Sequence, residues 1–432
     1  LHSIFRFANF VLINYLKTKT NKLLGSVIEN NNIFINKKRD TIMNRTIKNL
    51  AAILLIAITM ISCEKNLPVD PIEGSLAKSD YIVTINTDGN AIQSVNIDAE
   101  VYSILSKHNI DVSSVFATYS SVMTGFAASL TAEEVKSLQN DKRITLIEKD
   151  YEILVVDNVE SVVDSKGTSI QAQSISWGIS AVGNFIEANA TTGVAWIVDT
   201  GIDLDHPDLN VDLTLSKTFI TSGRDAASAD DLNGHGTHCS GVVAAKNNSE
   251  GVVGVCANAK VIAVKVLNYR GSGTASTIIK GLDYVGKNLI SGKLNVVNMS
   301  LGGSASTTLD NAVKNLAGLG AYVVVAAGNS AKSVTTFSPA RVEAERVYVI
   351  SAHDNASKLA SFSNFGNPTI DFSAPGVSIQ STYKNGLYAT MSGTSMATPH
   401  VVGILLATNG LINTNGYLVY DKDLTPDIKA KR

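Results

Sequence analysis

The sequence has only three cysteines in 432 residues, Cys63, Cys239 and Cys256, and so small and odd a number excludes a disulfide-stapled scaffold. Long apolar runs are missing too. The charge-free stretch at residues 50–61 has 12 residues, against about 20 for a helix that crosses a bilayer. Positive charge is scarce outside the N-terminal end. Residues 1–65 hold ten Lys/Arg against three Asp/Glu, and the remainder holds 26 against 35, a net −9. With no basic stretch interleaved with aromatics, that balance excludes nucleic acid as a partner. The glycine-rich segments around Gly271 and Gly302 lack the Gly-Lys-Ser/Thr ending of a phosphate loop. What is present is 45% hydrophobic and 17% charged residues, a composition that buries a large core and is not that of a disordered polymer.

From Met43 the chain reads as a targeting segment. Arg45 and Lys48 precede the apolar run, which ends at Ser62-Cys63. The pattern resembles a bacterial lipoprotein signal, in which Cys63 is lipidated after cleavage and anchors the protein to a membrane. Met60 and Ile61 stand where such signals prefer leucine and a small residue, and a plain secretory signal is the alternative. Either implies export from a bacterial cell, as an anchored lipoprotein or a secreted protein. Residues 1–42 fit neither pattern and are expected not to belong to the true protein. Residues 64–79, with Pro68, Pro71 and Gly74, read as a linker.

Residues 80–150 read as a small α+β domain. Residues 81–85 alternate like a strand, and Ile97, Val101, Ile104 and Leu105 recur at helical spacing. Two strands are expected at residues 115–119 and 125–130. Thr131 and Glu134 form a capping box that opens a second helix through Leu138, and residues 144–147 return to strand. The order β-α-β-β-α-β is ferredoxin-like, a pattern that by itself says little about function. Residues 151–173 read as a polar processing tether.

Three segments in residues 174–432 carry chemistry. An apolar strand, residues 194–198, ends in Asp199, at the strand end where open α/β sheets place ligands. His235 stands between Gly234 and Gly236 just before a helical run, and Ser395 lies where a loop meets an apolar helix. Pro399 breaks the rule for a helix interior, a breach expected at a functional site. A serine hydroxyl needs a base to take its proton, and imidazole supplies one near neutral pH. A buried carboxylate then fixes the imidazole tautomer. Asn329, after a strand ending in Ala327-Gly328, offers an amide to an oxyanion beside the Ser395 N–H. Asp203, Asp205 and Asp208 are rival acids, but none ends an apolar strand. His238, three positions after His235, and Cys239 suggest a zinc site as an alternative, which a family resemblance replaces with the start of a structural helix.

The segments DTGIDLDHPDL, GHGTHCSG, NMSLGG, AAGN and GTSMATPH, in that order, resemble the blocks of the subtilase family, and VKVLNYRGSG, SPA and SFSNFG are similar to its proteinase K group. The resemblance implies a serine endopeptidase built on a parallel sheet with helices on both faces. It also implies an inhibitory propeptide at residues 80–150 that the enzyme itself removes, and no cofactor for the chemistry. Gly271, Ser272 and Gly273 would form one edge of a peptide groove and Ser300, Leu301, Gly302 and Gly303 the other. Ala327, Gly328 and Phe337 would line the main pocket, which lacks an acid and so favours apolar and aromatic residues. Ala275 replaces an aromatic that closes the pocket three residues upstream, so large side chains should fit there. A structural calcium would sit at Asp371 with a carbonyl near Val347, and Cys239 would be a thiol beside the catalytic histidine. Polypeptides are the expected substrates, and the protein is expected to be monomeric. An inert binding protein on this fold and an esterase using the same triad are the rival functions.

Overall fold

Apolar patterning sets the first elements. In the computed structural model, residues 77–86, 96–155, 158–163 and 172–432 are described. The expected signal, Cys63, most of the linker and part of the tether lie outside the described residues. Strand β1 (Ser79–Ile85) is followed by helix α1 (Ile97–Lys107), which buries Ile97, Val101, Ile104 and Leu105 as one stripe. Strands β2 (Val115–Tyr119) and β3 (Gly125–Leu130) precede helix α2 (Ala132–Leu138) and β4 (Ile144–Lys149). The capping box is present: Glu134 N–H donates to Thr131 Oγ1 at 3.2 Å, and Thr131 N–H to Glu134 Oε2 at 2.7 Å. The strands form an antiparallel sheet in the order β2-β3-β1-β4, as the ferredoxin-like pattern requires.

Both faces of this small sheet are buried. Val83, Phe126 and Leu130 pack under α1 and α2, whereas Ile82, Tyr119 and Ala127 belong to the core of the large domain. The residues before and after each turn of the pleat thus serve two partners.

The tether is more ordered than its polar composition suggests. Residues Glu152–Leu154 form β5 and Asn158–Val163 form β6, each paired to the large domain. Main-chain hydrogen bonds, which do not depend on side-chain polarity, explain why composition missed them.

After a short helix at Trp177–Ala181, the large domain runs through β7 (Val194–Asp199), β8 (Lys217–Thr218), helix α3 (His235–Ala244) and β9 (Lys260–Lys265). The chain continues through β10 (Ser272–Thr274), α4 (Ala275–Lys287), β11 (Asn295–Met299), α5 (Thr307–Gly318), β12 (Tyr322–Ala326) and β13 (Val347–His353). It ends with β14 (Phe372–Pro375), β15 (Ile379–Tyr383), β16 (Leu387–Ser392), α6 (Thr394–Thr408), β17 (Asn413–Tyr417) and β18 (Ile428–Lys431). The main sheet runs β8-β9-β7-β11-β12-β13-β14-β18-β17 and is parallel throughout, except where β17 pairs antiparallel with β18. Strands such as β7 are fully buried because helices cover both faces. Trp196 and Val198 pack with α4 and α5, and Ala195 and Ile197 with α3 and α6.

Candidate active site

The end of β7 delivers Asp199, which is fully buried. His235 begins α3, and its Nδ1 lies 2.7 Å from Asp199 Oδ1, which also accepts the Thr200 N–H at 2.6 Å. Only glycine permits this approach at position 236. A Cβ there would stand 2.1 Å from the Gly201 carbonyl oxygen and 3.1 Å from Asp199 Cβ.

Asp231 organises the same corner, and sequence reasoning passed over it. Its Oδ1 accepts from Asn233 N, Gly234 N and Thr200 Oγ1, each at 2.9 Å, while Oδ2 accepts from Thr237 N at 3.0 Å and Thr237 Oγ1 at 2.7 Å. Gly236 N–H then donates to Thr200 Oγ1 at 2.9 Å, tying the histidine helix to the aspartate strand. The signal that could have found Asp231 is its place two residues before Asn233, an acid ahead of a helix start. Beneath it, the fully buried Lys265 ammonium pairs with Asp225 at 2.9 Å and donates to the Thr200 carbonyl.

Ser395 lies in the first turn of α6, after Gly393. Pro399 has no N–H for the carbonyl four residues back, which is that of Ser395. That carbonyl accepts instead from Ser300 Oγ at 2.8 Å and Cys239 Sγ at 3.5 Å. In return Ser395 Oγ donates to the Ser300 carbonyl at 3.3 Å. The proline thereby releases an acceptor that fixes the serine turn against both neighbouring segments.

Asn329 is oriented by α6. Its Oδ1 accepts from Thr394 N at 2.9 Å and Thr394 Oγ1 at 2.8 Å, so the carboxamide oxygen is turned to Thr394 and the NH2 is the opposite end. Asn329 and Ser395 line one cavity of about 350 Å³ with Ser300, Leu301, Gly302 and Gly303 on one wall. Ala327, Gly328 and Phe337 line it as well, and among the described residues no carboxylate does.

The alternative readings fall elsewhere. His238 Nε2 donates to the carbonyls of Ile379 (3.0 Å) and Ala389 (3.2 Å), alternatives for a single N–H, so it braces the core rather than holding zinc with Cys239. His400 is fully buried, which lowers its pKa to about 3, with Nδ1 against the Met396 carbonyl at 2.8 Å. Asp203 accepts from Gly386 N and Asp208 from Val252 N, both away from His235. Cys239, one turn after His235, sets its Sγ within 4.8 Å of the Asp199 and His235 ligand atoms. Burial pushes the Cys256 thiol up to about 12, and neither cysteine is in a disulfide.

The chain's own tether occupies the groove. Leu154, Ile153 and Glu152 pair antiparallel with Ser272, Gly273 and Thr274, and Val155 N–H donates to the Gly271 carbonyl at 2.9 Å. Leu154 and Val155 line the Ser395 cavity, and Ile153 is fully buried. On the far wall a Cβ at Gly303 would meet Ile153 Cγ1 at 3.0 Å, so backbone and side chain fit closely there. The small domain adds charge at two helix ends. Glu148 Oε2 accepts from Thr308 N (2.9 Å) at the start of α5, and Asp150 Oδ1 from Ser276 N (3.0 Å) at the start of α4.

Asp371 and Val347 are not joined directly. Asp371 instead pairs reciprocally with Val349: its N–H donates to the Val349 carbonyl at 3.0 Å, and its Oδ2 accepts the Val349 N–H at 2.8 Å.

Comparison with known proteins agrees with this geometry. The subtilase family model matches residues 192–412, and that of peptidase inhibitor I9 matches residues 80–154, which includes β5. A thermostable alkaline protease of Halalkalibacterium halodurans is 35% identical over 340 residues, covering 78% of this chain and 82% of the relative. Proteinase R of Parengyodontium album is 34% identical over 342 residues, covering 78% and 81%. Subtilisin Savinase of Lederbergia lenta is 44% identical over 237 residues, covering 54% and 83%. The chain belongs to the subtilase family. It is a subtilisin-like serine endopeptidase whose catalytic domain follows an I9 inhibitor propeptide.

Proposed function

We propose that the protein is a zymogen exported from a bacterial cell, which cuts its own tether at Ser395 and then hydrolyses exposed peptide segments. The observation that carries this reading is the tether itself. Strand β5 lies along Ser272–Thr274 beside Ser395, and β6 pairs with β16, which ends three residues before Ser395. The two described strands bracket the nucleophile, so the cut falls after Val155 and no later than Asn158.

In this mechanism Asp199 holds the His235 Nδ1–H, leaving Nε2 to take the Ser395 Oγ proton as Oγ adds to the scissile carbonyl. The oxyanion is met by the Asn329 NH2 and the Ser395 N–H. Imidazolium returns its proton to the leaving amine, the C–N bond breaks, and water then hydrolyses the acyl-enzyme by the same steps in reverse roles. The acid-free pocket gives an apolar or aromatic preference at the cleaved position. Ser395→Ala in a protease-free host should leave the full chain uncut by mass; normal processing of that variant would assign the cut to another enzyme.

Calcium and lipid are parts of the same proposal. Burial raises the Asp371 carboxyl to about 6, offset by the Val349 N–H and reinforced by the charge of Glu343. The Asp371 carboxylate with a main-chain carbonyl near Val347 would supply oxygen ligands of the kind calcium takes. A bound ion there would brace the β13–β14 pair without entering the chemistry. Cys63 would carry a diacylglyceryl anchor, which the mass of the membrane-fraction precursor would reveal.

A further inference from the structure

The chain beyond the cut is held as deliberately as the chain before it. Strand β6 pairs antiparallel with β16, with Asn158 opposite Ser392, Val159 opposite Met391, Ser161 opposite Thr390, Val162 opposite Ala389 and Val163 opposite Tyr388. Glu160 is left over in this register, the extra residue of a β-bulge. A bulge re-aims a side chain, and here it turns the Glu160 carboxylate back onto the enzyme. Oε2 accepts from Ser378 Oγ at 2.8 Å, and Oε1 accepts from Ser392 Oγ. The receiver is organised from its own side. Ser378 N–H donates to Ser392 Oγ at 2.8 Å, which directs the Ser392 hydroxyl proton outward, and Ser378 adopts a left-handed φ of 51°. Val159 and Val162 remain about half exposed, whereas the Glu160 carboxylate is held by two hydroxyls of the enzyme.

We propose that the β16 edge, with the Ser378 and Ser392 hydroxyls, is an extended product-side docking site that selects polypeptides carrying a carboxylate a few residues beyond the cleaved bond. The proposal rests on the endopeptidase reading. In the zymogen Glu160 fills the seat, and after processing a substrate segment adds to the same edge as a third strand of the β15–β16 sheet. The main-chain ladder tolerates many sequences, while the paired hydroxyls prefer a carboxylate, which accepts at both oxygens, over an amide, which accepts at one.

The test uses the processed, full-length enzyme and peptides copying residues 151–163, against the same peptide cut back to residues 151–159 and one with Gln at the Glu160 position. Cleavage is followed by mass spectrometry, and a p-nitroanilide with no residues beyond the cut serves as reference. The extended acidic peptide should exceed both others in kcat/KM, the Gln peptide losing about fivefold, as suits a charge-assisted hydrogen bond partly open to water. Ser378→Ala should abolish the difference between acid and amide and leave p-nitroanilide turnover within about twofold. Equal rates for acid and amide peptides overturn the carboxylate seat, and equal rates for long and short peptides overturn the docking edge. Loss of p-nitroanilide cleavage by processed wild-type protein would instead overturn the endopeptidase reading.

Discussion

Replacing Ile153 by alanine should loosen the grip of the propeptide on its own enzyme by about 50-fold. Along β5 the side chains alternate, so Leu154 is 50% exposed whereas Ile153 is fully buried against the groove. The substitution deletes three buried carbons. At about 0.8 kcal/mol per buried methylene this removes about 2.4 kcal/mol of transfer free energy, and the cavity left behind adds to it. With tenfold in affinity for each ~1.4 kcal/mol, the dissociation constant of the cut propeptide rises about 50-fold. The assay is a dilution series of fully processed protein, reading the active fraction on a p-nitroanilide. The variant should become active at about 50-fold higher concentration than the wild type. Leu154→Ala, at a half-exposed position, should shift the curve several-fold less. If Ile153→Ala moves it less than threefold, Ile153 is not the anchor and the grip lies in the main-chain ladder and the helix-end carboxylates Glu148 and Asp150.

Asn329→Ala should lower kcat by roughly 10²–10³ with little change in KM, by stopped assays on a peptide substrate; that magnitude is the one known for such a donor in subtilisin itself and is carried over. Asp225→Asn leaves the Lys265 ammonium buried without its counter-charge, which costs about 3–5 kcal/mol of stability for a broken buried pair. Calorimetry on the uncut Ser395→Ala chain would read it, and an unchanged Tm would show that the pair is dispensable. Burial raises the Asp427 carboxyl to about 7, with Ser351 opposing and the charge of Asp421 adding. The folded state then binds the proton more tightly than the unfolded chain, so this group makes stability fall as pH rises from about 4 to 7. Asp427→Asn should therefore gain in Tm relative to wild type between pH 5 and pH 8, and a constant difference would contradict the shift. A chelator should lower Tm through Asp371, and Asp371→Asn should remove that response; a chelator effect that persists in the variant would place the ion elsewhere.

The residues that read clearly in the sequence are those whose role is fixed by local pattern. Asp199 ends a strand buried on both faces, so its run is continuously apolar, and the capping box at Thr131 lies wholly within four residues. Local motif also signalled His235, where Gly236 is needed for close approach to the aspartate strand, and Ser395, at the loop-to-helix junction after Gly393. What the sequence hid depends on pairing across long separations. Asp231 draws its meaning from Thr200, 31 residues away, and Lys265 from Asp225, 40 away. Lys265 even lies within an apolar run, Val261 to Leu267, which marks a buried strand but not the partner that makes a buried ammonium tolerable.

The tether shows the same limit most sharply. Residues 151–163 carry Ile153, Leu154 and five valines among their acids, residues suited to a strand, and two strands form where the enzyme offers β10 and β16 as edges. A sheet edge supplies N–H and C=O partners to any chain that passes, so order there is a property of the template as well as of the guest. The same physics makes the groove a peptidase site. An edge that accepts the enzyme's own Glu152–Leu154 through main-chain bonds also accepts foreign segments, and the side chains seated by the enzyme, Ile153 before the cut and Glu160 after it, add a preference to that of the main pocket. Inhibition and substrate recognition are then one interaction. Any substitution at Ile153 that weakens the propeptide should weaken, in the same rank order, peptide substrates carrying the same residues at that seat.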